Sequence, residues 1–273
     1  MKVSLAFDFK GINHTYHLPL WRKGLAAMGW IEAPFTSSDV TVMWGPNPPF
    51  DITRGRGKPV MMADFPYWNR GGKNRNGQEY YKVSLNGQHP TPYIMEETHT
   101  PDRYNAINSP KIIPWRFDGK KILLAGTGLK AANQFGHGLG GWEKKAIEEI
   151  RKHTIDEIIY RPKPNQNAPR ITGTTYDDGR IPLENMLADV RAVVCHHGNP
   201  SVIALAMGVP IFMNGSIGVA SHFASFDLGK INNPRRPEGR EKFFYNLAHW
   251  QWSVKEIESG AVFQSFLDRG FLK

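Results

Sequence analysis

Short apolar runs alternate with helix-like segments between residues 121 and 213, and no other feature constrains the fold of this chain as strongly. Three of these runs, Lys121–Ala125, Arg191–Cys195 and Val209–Met213, have the length of buried strands. Between the first two, Trp142–His153 carries apolar residues at helical spacing and charges at the other positions. Strands that alternate with helices across short loops predict an α/β fold with a parallel, doubly wound sheet.

The N-terminal part is less regular, but it also predicts strands beside a helix. The strand candidates are Val3–Phe9, Asp39–Trp44 and Lys58–Ala63. We expect a loop over Lys10–His17 and then a helix from Pro19 to about Met28, because proline suits a first helical turn. A long irregular stretch follows from Phe65 to about Pro114.

The C-terminal residues predict helices with a rich apolar pattern. These helices are expected over Arg240–Trp252, Val254–Ser259 and Phe263–Leu267. Together the patterns predict an N-terminal domain over residues 1–114 and a second domain over 115–240. The helices of 241–273 are expected to pack back on the N-terminal domain.

Composition excludes several classes of protein. The 273 residues include one cysteine, which excludes a disulfide framework and a cysteine-based metal site. No apolar run approaches the roughly 20 residues of a membrane helix, and no signal-peptide segment opens the chain. We therefore expect a soluble, cytoplasmic monomer without a membrane partner. Its net charge of +9 favours polyanionic partners, although surface composition alone also explains such a charge.

The run Val193–Pro210, VVCHHGNPSVIALAMGVP, holds the strongest candidate site. A buried strand ends in a turn, and a capped helix begins directly after it. Unsatisfied N–H groups and the helix dipole make such a helix start suitable for an anion. Its position also fits a binding site, because ligands lie at the carboxyl ends of parallel strands. An ordinary capped turn fits the same residues. The candidate ligands are His196, His197, Gly198, Asn199 and Ser201.

Two further loops carry residues suited to phosphate. Arg161 and Lys163 follow a predicted strand, and two cations there suit a diphosphate, although a solvated basic turn fits as well. The second loop is glycine-rich and could approach a phosphate closely, but it does not match the Walker A spacing. Its candidate ligands are Gly126, Thr127, Gly128 and Lys130.

With these motifs, the sequence over about 120–260 resembles the donor domain of GT-B glycosyltransferases, including small phage DNA-modifying and capsular-polysaccharide types. The resemblance rests on the strand–His–Gly–helix run ending in Gly-Val-Pro, on YRPKP and on GTGLK. It implies two Rossmann-like domains facing a cleft and a nucleotide-diphosphate sugar as donor, with UDP-glucose first. It also implies that no metal is required. One departure is Ile203, which stands where many of these enzymes carry an acidic ribose ligand.

A glycosyl transfer with inversion needs a general base for the acceptor hydroxyl, and the resemblance places that base in the N-terminal half. Asp64 ends a predicted strand beside aromatic residues, and Asp8 ends the first strand. His14 and His17 lie in the following loop. Each of these residues could instead be an ordinary capping or turn residue, and a retaining enzyme needs no such base.

The segment 51–75 combines cations with aromatic residues and glycines, a composition that suits nucleic acid. The candidate contacts are Arg54, Arg56, Trp68, Arg70, Lys73 and Arg75. They favour double-stranded DNA with hydroxymethylated bases as acceptor. A solvated loop fits as well, and three other functions stay open: a saccharide acceptor, a non-catalytic nucleic-acid-binding protein, and a nucleotide-dependent enzyme of another kind.

Overall fold

The computed structural model of the chain describes residues 1–7, 12–45, 57–69, 79–164 and 166–273. This part divides into two compact units. Unit 1 comprises Met1–Ser109 together with Phe244–Lys273, and unit 2 comprises Pro110–Phe243. Each unit contains one β-sheet flanked by helices, so each is described by itself.

Strands and helices follow one another along the chain as follows. The strands are β1 (Lys2–Ala6), β2 (Ile31–Glu32), β3 (Val40–Trp44), β4 (Val60–Asp64), β5 (Tyr80–Leu85), β6 (Lys121–Ala125), β7 (Ile158–Arg161), β8 (Thr175–Tyr176), β9 (Val190–Cys195), β10 (Ile211–Met213) and β11 (Gln251–Ser253). The helices are α1 (Ile12–Ala27), α2 (Asp102–Ala106), α3 (Leu129–Gln134), α4 (Gly141–Arg151), α5 (Leu183–Met186), α6 (Pro200–Ala206), α7 (Arg240–Ala248), α8 (Val254–Glu258) and α9 (Ala261–Asp268).

The sheet of unit 2 is entirely parallel, with the strand order β10-β9-β6-β7-β8. This is the order of a doubly wound Rossmann sheet, in which the chain reverses its direction of winding between β6 and β9. The apolar faces of β6 and α4 form the core of the unit, with Leu124, Ile147 and Ile150 buried. The predicted α/β class and parallel sheet are confirmed.

The sheet of unit 1 is mixed, with the order β11-β5-β4-β3-β1-β2. Strands β1 to β4 are parallel, while β5 runs antiparallel to both of its neighbours. The parallel part therefore reverses its winding between β1 and β3. As in unit 2, the carboxyl ends of the parallel strands share one edge, so this unit is also Rossmann-like, as predicted.

Helix α1 packs against α8 and α9 at a point where only glycine fits. A Cβ atom on Gly24 would lie 2.2 Å from the carbonyl oxygen of Ile257 and 3.3 Å from the ring of Phe263. Trp21, which is fully buried, packs its ring 5.6 Å from that of Phe263. The close contact of these helices therefore requires that residue 24 be glycine.

Three segments differ from the expectation from sequence. Helix α1 begins at Ile12, so residues 12–17 of the expected loop are helical and Pro19 lies inside the helix. Pro19 is exposed, so its ring lies outside the packed face of the helix, and its missing N–H costs one backbone hydrogen bond. Strand β5 lies in the stretch expected to be irregular. Trp252, expected in a helix, lies in β11 because that strand pairs with the open edge of β5.

None of the helices in the described ranges is both long and apolar enough to cross a bilayer.

Gly24→Ala should destabilise the protein, although alanine is the better helix former by about 1 kcal/mol. The new methyl group would meet the backbone of α8, and such overpacking costs about 1–3 kcal/mol. Ala26→Gly, at an exposed position of the same helix, is the matched control and should cost only the propensity difference. Urea unfolding measures both, and a Gly24→Ala protein as stable as the parent would contradict the close approach.

Candidate functional site

The loops that follow β6, β7 and β9 meet at the carboxyl edge of the unit 2 sheet. Strand β6 pairs with both β7 and β9, and Ala125 stands opposite Arg161 on one side and Cys195 on the other. The glycine loop 126–128, the segment of Lys163 and the His196–His197 turn therefore begin at the same level of the sheet. The reversal of winding between β6 and β9 is where open α/β sheets bind ligands.

An internal carboxylate holds the glycine loop. Glu143, in the first turn of α4, accepts hydrogen bonds at Oε1 from the Thr127 N–H at 2.6 Å and from the Thr127 hydroxyl at 2.8 Å. Leu129 N–H donates to Gln166 Oε1 at 3.0 Å. The backbone N–H and hydroxyl of Thr127 are thus used internally, which conflicts with its predicted role as a phosphate ligand. The buried Gly128 N–H has no acceptor among the described residues.

Lys163 lies directly over this loop. A Cβ atom on Gly128 would stand 2.8 Å from Lys163 Cδ and 3.2 Å from Nζ, so only glycine lets the lysine approach the backbone this closely. The lysine is exposed, and its ammonium forms no ion pair with any described residue. Lys130, the other predicted cation, is exposed in the first turn of α3. A cation next to a buried N–H without an acceptor is suited to an anion.

Arg161 lies at the same edge, but its guanidinium is used within the protein. Nη1 lies 3.2 Å from Asp177 Oδ2 and donates to the Ile181 carbonyl at 2.9 Å, while Nη2 donates to the Gly179 carbonyl at 3.4 Å. Asp177 is buried, so it needs this partner. The predicted role of Arg161 as a diphosphate ligand therefore conflicts with the structure, in which it holds the loop 177–181.

The two histidines after β9 form a hydrogen-bonded pair. Asn214 Nδ2 lies 3.0 Å from His196 Nε2, and His196 Nδ1 lies 2.7 Å from His197 Nδ1. With Asn214 donating to Nε2, neutral His196 donates from Nδ1 to His197. The ring of Phe135 packs 4.6 Å from that of His196, and the ring of Trp142 packs 5.4 Å from it.

Burial controls the protonation of this pair. His196 is 3% exposed. Its pKa is lowered to about 4 by desolvation, with a smaller effect from the positive charge that His137 can carry. At neutral pH His196 is thus an uncharged imidazole that keeps accepting from Asn214 and orients His197.

The start of α6 offers fewer free donors than the sequence suggests. Asn199 occupies the N-cap without a capping hydrogen bond from its side chain. The Ser201 hydroxyl and N–H both donate to the Gly198 carbonyl, at 2.8 and 3.2 Å. Ser201 is therefore structural, contrary to its predicted role as a ligand. Cys195, just before this turn, is buried, and desolvation raises its pKa to about 12, so it is an uncharged packing residue.

Of the four general-base candidates of unit 1, the structure describes the side chains of two, Asp64 and His17. Asp64 ends β4, accepts from the Phe65 N–H at 2.8 Å, and lies 3.5 Å from the ammonium of Lys82, which is buried. His17 is fully buried, and its ring stacks 4.2 Å from Trp44, as expected of a core residue. Asp8 lies outside the described residues, and so does the side chain of His14, whose backbone belongs to α1.

Trp68 is the one predicted DNA contact that the structure describes. It is 5% exposed and packs against the rings of Tyr104 at 5.9 Å and Phe244 at 6.2 Å, all within unit 1. A buried ring cannot stack on a base, so this prediction is wrong for Trp68. The other predicted contacts, Arg54, Arg56, Arg70, Lys73 and Arg75, lie outside the described residues. Among the described residues, no group of three His, Cys, Asp or Glu is arranged to hold a metal ion.

Sequence reasoning missed Glu143, Asn214 and Phe135. Glu143 had a usable signal, because it occupies the first position of the apolar stripe 143, 146, 147 and 150 of α4, where a charge is unexpected. Asn214 comes directly after β10, at the same edge of the sheet. Nothing in the sequence marks Phe135 as a partner of the histidines.

An NMR titration tests the environment of His196. The His196 imidazole signal, identified by its loss in His196→Gln, should keep the chemical shift of the neutral ring down to about pH 4. The pKa of His196 in the folded protein is lower than the value of about 6.5 expected in the unfolded chain. The contribution of His196 to stability is therefore complete above about pH 6.5. That contribution is lost as the pH falls towards 4. A titration midpoint near 6.5 would contradict burial of this ring.

Comparison with solved structures shows which known proteins share this fold. One solved structure, described as Thermosulfurimonas dismutans KpsC, beta Kdo 2,4 transferase, matches with a TM-score of 0.58 and 10% identity, over 96% of this chain and 98% of that chain. A second, the beta Kdo 2,7 transferase of the same KpsC, matches with a TM-score of 0.57 and 11% identity, over 97% and 99%. No protein-family model and no curated protein matches the sequence. The chain therefore has the GT-B glycosyltransferase fold that its motifs predict.

Proposed function

We propose that this protein is a glycosyltransferase that moves a sugar from a nucleotide-activated donor to a hydroxyl acceptor. The observation that carries the proposal is the position of Lys163 over Gly128, at the winding reversal of a Rossmann-like sheet. In such sheets this edge binds nucleotides. The fold supports the proposal, since both similar structures are described as transferases of a sugar, Kdo.

The donor phosphates would be bound by two groups at this edge. The Lys163 ammonium and the Gly128 N–H lie together, and the loop after the neighbouring strand carries His197. Negative charge develops on the leaving phosphate as the glycosidic bond breaks, and donors fixed in advance stabilise that charge. Arg161 would act only indirectly, by holding the loop 177–181.

The identity of the donor is the finer part of the proposal. The sequence favours a uridine diphosphate sugar, with UDP-glucose first. The similar structures raise a second possibility, Kdo, because their descriptions name that sugar. Ile203 lies in α6 and offers no carboxylate to a ribose, so the nucleoside contacts of this chain must come from other residues.

A nucleotide panel tests the donor site. UDP, UDP-glucose, GDP, TDP and CMP would each be titrated while the unfolding temperature is followed, because a ligand of the folded state raises it. At least one should raise the temperature, and Lys163→Ala should weaken its binding about tenfold or more, as expected for a lost hydrogen bond to a charged group. Lys163 is exposed, so the free variant should unfold at the parent's temperature.

Lys145→Ala is the matched control, since it removes an exposed lysine from α4 in the same unit. It should bind the nucleotide as the parent does. Arg161→Ala should lower the unfolding temperature of the free protein, because it leaves Asp177 buried without its cation. Absence of binding by every nucleotide would overturn the proposed function, and equal affinity in Lys163→Ala would remove this lysine from the site.

Of the two acceptors left open by the sequence, we propose the saccharide. The net charge of +9 supports a polyanion such as hydroxymethylated DNA. However, Trp68, the aromatic residue assigned to DNA contact, is buried and is not available to stack on a base. For the general base we propose Asp64, a partly exposed carboxylate at the carboxyl end of β4. Asp8 and His14 are the alternatives to be tested beside it.

Asp64→Asn should abolish transfer and leave the affinity for the donor nucleotide unchanged. It should also cost about 1–3 kcal/mol of stability, because the buried Lys82 ammonium loses its carboxylate neighbour and keeps His89 Nδ1 at 3.3 Å. Transfer would be assayed at a temperature where the variant is folded, with an oligosaccharide and with hydroxymethylated DNA as acceptors. Full activity of the folded variant would exclude Asp64 as the base, and transfer to DNA alone would reverse the choice of acceptor.

A further inference from the structure

We propose that Glu143 is a positioning residue, which holds the glycine loop 126–128 in the conformation that binds the donor phosphate. The inference rests on the proposed function, because it concerns the same edge of the unit 2 sheet. Glu143 would not touch the donor itself. It would act through Thr127, the residue between the two glycines of the loop.

The burial of Glu143 is the first observation that needs an explanation. The residue has no exposed surface, and no lysine, arginine or histidine of the described residues forms an ion pair with it. A glutamate is almost never fully buried unless it is paired, because removing a carboxylate from water is costly. The first turn of α4 favours a negative charge, but an exposed glutamate would benefit from the helix dipole as well. The dipole therefore does not explain why Glu143 is buried.

The contacts of Glu143 show what its burial achieves. One oxygen, Oε1, accepts both the backbone N–H and the hydroxyl of Thr127. These two bonds fix the backbone and side chain of the same loop residue, so the loop has a single arrangement between Gly126 and Gly128. The Thr127 N–H is therefore not available to a ligand, and the next N–H, that of Gly128, lies beneath Lys163 with no acceptor among the residues that the structure describes.

Packing alone does not hold the loop. A Cβ atom on Gly126 would lie 3.2 Å from the Tyr160 hydroxyl, so the loop rests on a buried polar group. That hydroxyl and Glu143 Oε2 have no hydrogen-bond partner among the described residues. Desolvation, and to a lesser extent the nearby charge of Glu143, raises the pKa of Tyr160, so it stays protonated. Backbone bonds hold the two ends of the loop, from the Gly126 N–H to the Arg161 carbonyl and from the Ala132 N–H to the Gly128 carbonyl. The two bonds to Glu143 hold the residue between them, Thr127.

Two substitutions of Glu143 separate hydrogen bonding from shape. Glu143→Gln keeps an oxygen acceptor for Thr127 and places an amide NH2 group where Oε2 has no hydrogen-bond partner among the described residues. Glu143→Met keeps a similar volume without an oxygen. We expect the Gln variant to bind the donor nucleotide within about threefold of the parent. We expect the Met variant to bind about tenfold or more weakly at a temperature where it is folded, because the loop loses its fixed arrangement.

Thr127→Val provides a second test should the Met variant fail to fold. It removes one of the two bonds with little change in shape, and it should weaken nucleotide binding several-fold, whereas Thr127→Ser keeps the hydroxyl and should restore it. Wild-type affinity in both the Met and Val variants would overturn the proposal. Equal weakening in the Gln and Met variants would also overturn it, because the effect would then follow the charge and not the bonds to Thr127.

Amide hydrogen exchange of the ligand-free protein distinguishes this proposal from the proposed function. The Thr127 N–H should exchange at least about tenfold faster in Glu143→Met than in the parent, and at the parent's rate in Glu143→Gln. This readout requires no donor. If the parent binds no nucleotide, the proposed function fails. Unchanged exchange in the Met variant would instead overturn the role of Glu143, whatever the parent binds.

Discussion

The pairing of β6 with β9 is the interaction on which the candidate site depends. Ala125 stands opposite Cys195, so the loops that follow both strands leave the sheet at the same level. Both strands are buried along most of their length, so a shift of one residue would exchange the side chains packed on the two faces of the sheet. The register that the core enforces is thus also the register that brings the glycine loop and the histidines to one edge.

Buried polar groups at this edge serve two different purposes. Arg161 and Asp177 neutralise each other and tie down the loop 177–181. Glu143 and His196 are also buried, but each has its hydrogen bonds directed at a neighbouring loop residue, Thr127 or His197. Burial of the second kind of group is unfavourable because the group loses water, but its hydrogen bonds fix the position of the residues next to it. A site that binds an anion needs donors fixed in this way.

Much of the fold was predictable because strand patterns are local. The apolar runs that form β3, β6 and β9 are short and bounded by turn residues, and the structure places strands there. Two of the three segments that differed, the start of α1 and β11, depend on their surroundings more than on local preference. Pro19 is tolerated because it is exposed, and Trp252 joins a strand because β5 offers an unpaired edge.

The sequence by itself determined the α/β class, the position of most strands of unit 2 along the chain and the loops that leave its carboxyl edge, since these follow from hydrophobic period and from glycine and proline. Only the tertiary structure decided which residue of each loop is free to bind. Arg161 and Lys163 are two residues apart and look alike in sequence, but the first meets a buried aspartate, whereas the second lies over the backbone of Gly128 and forms no ion pair with any described residue. A charge is committed or available according to what lies within a few ångströms of it, and those neighbours come from distant parts of the chain.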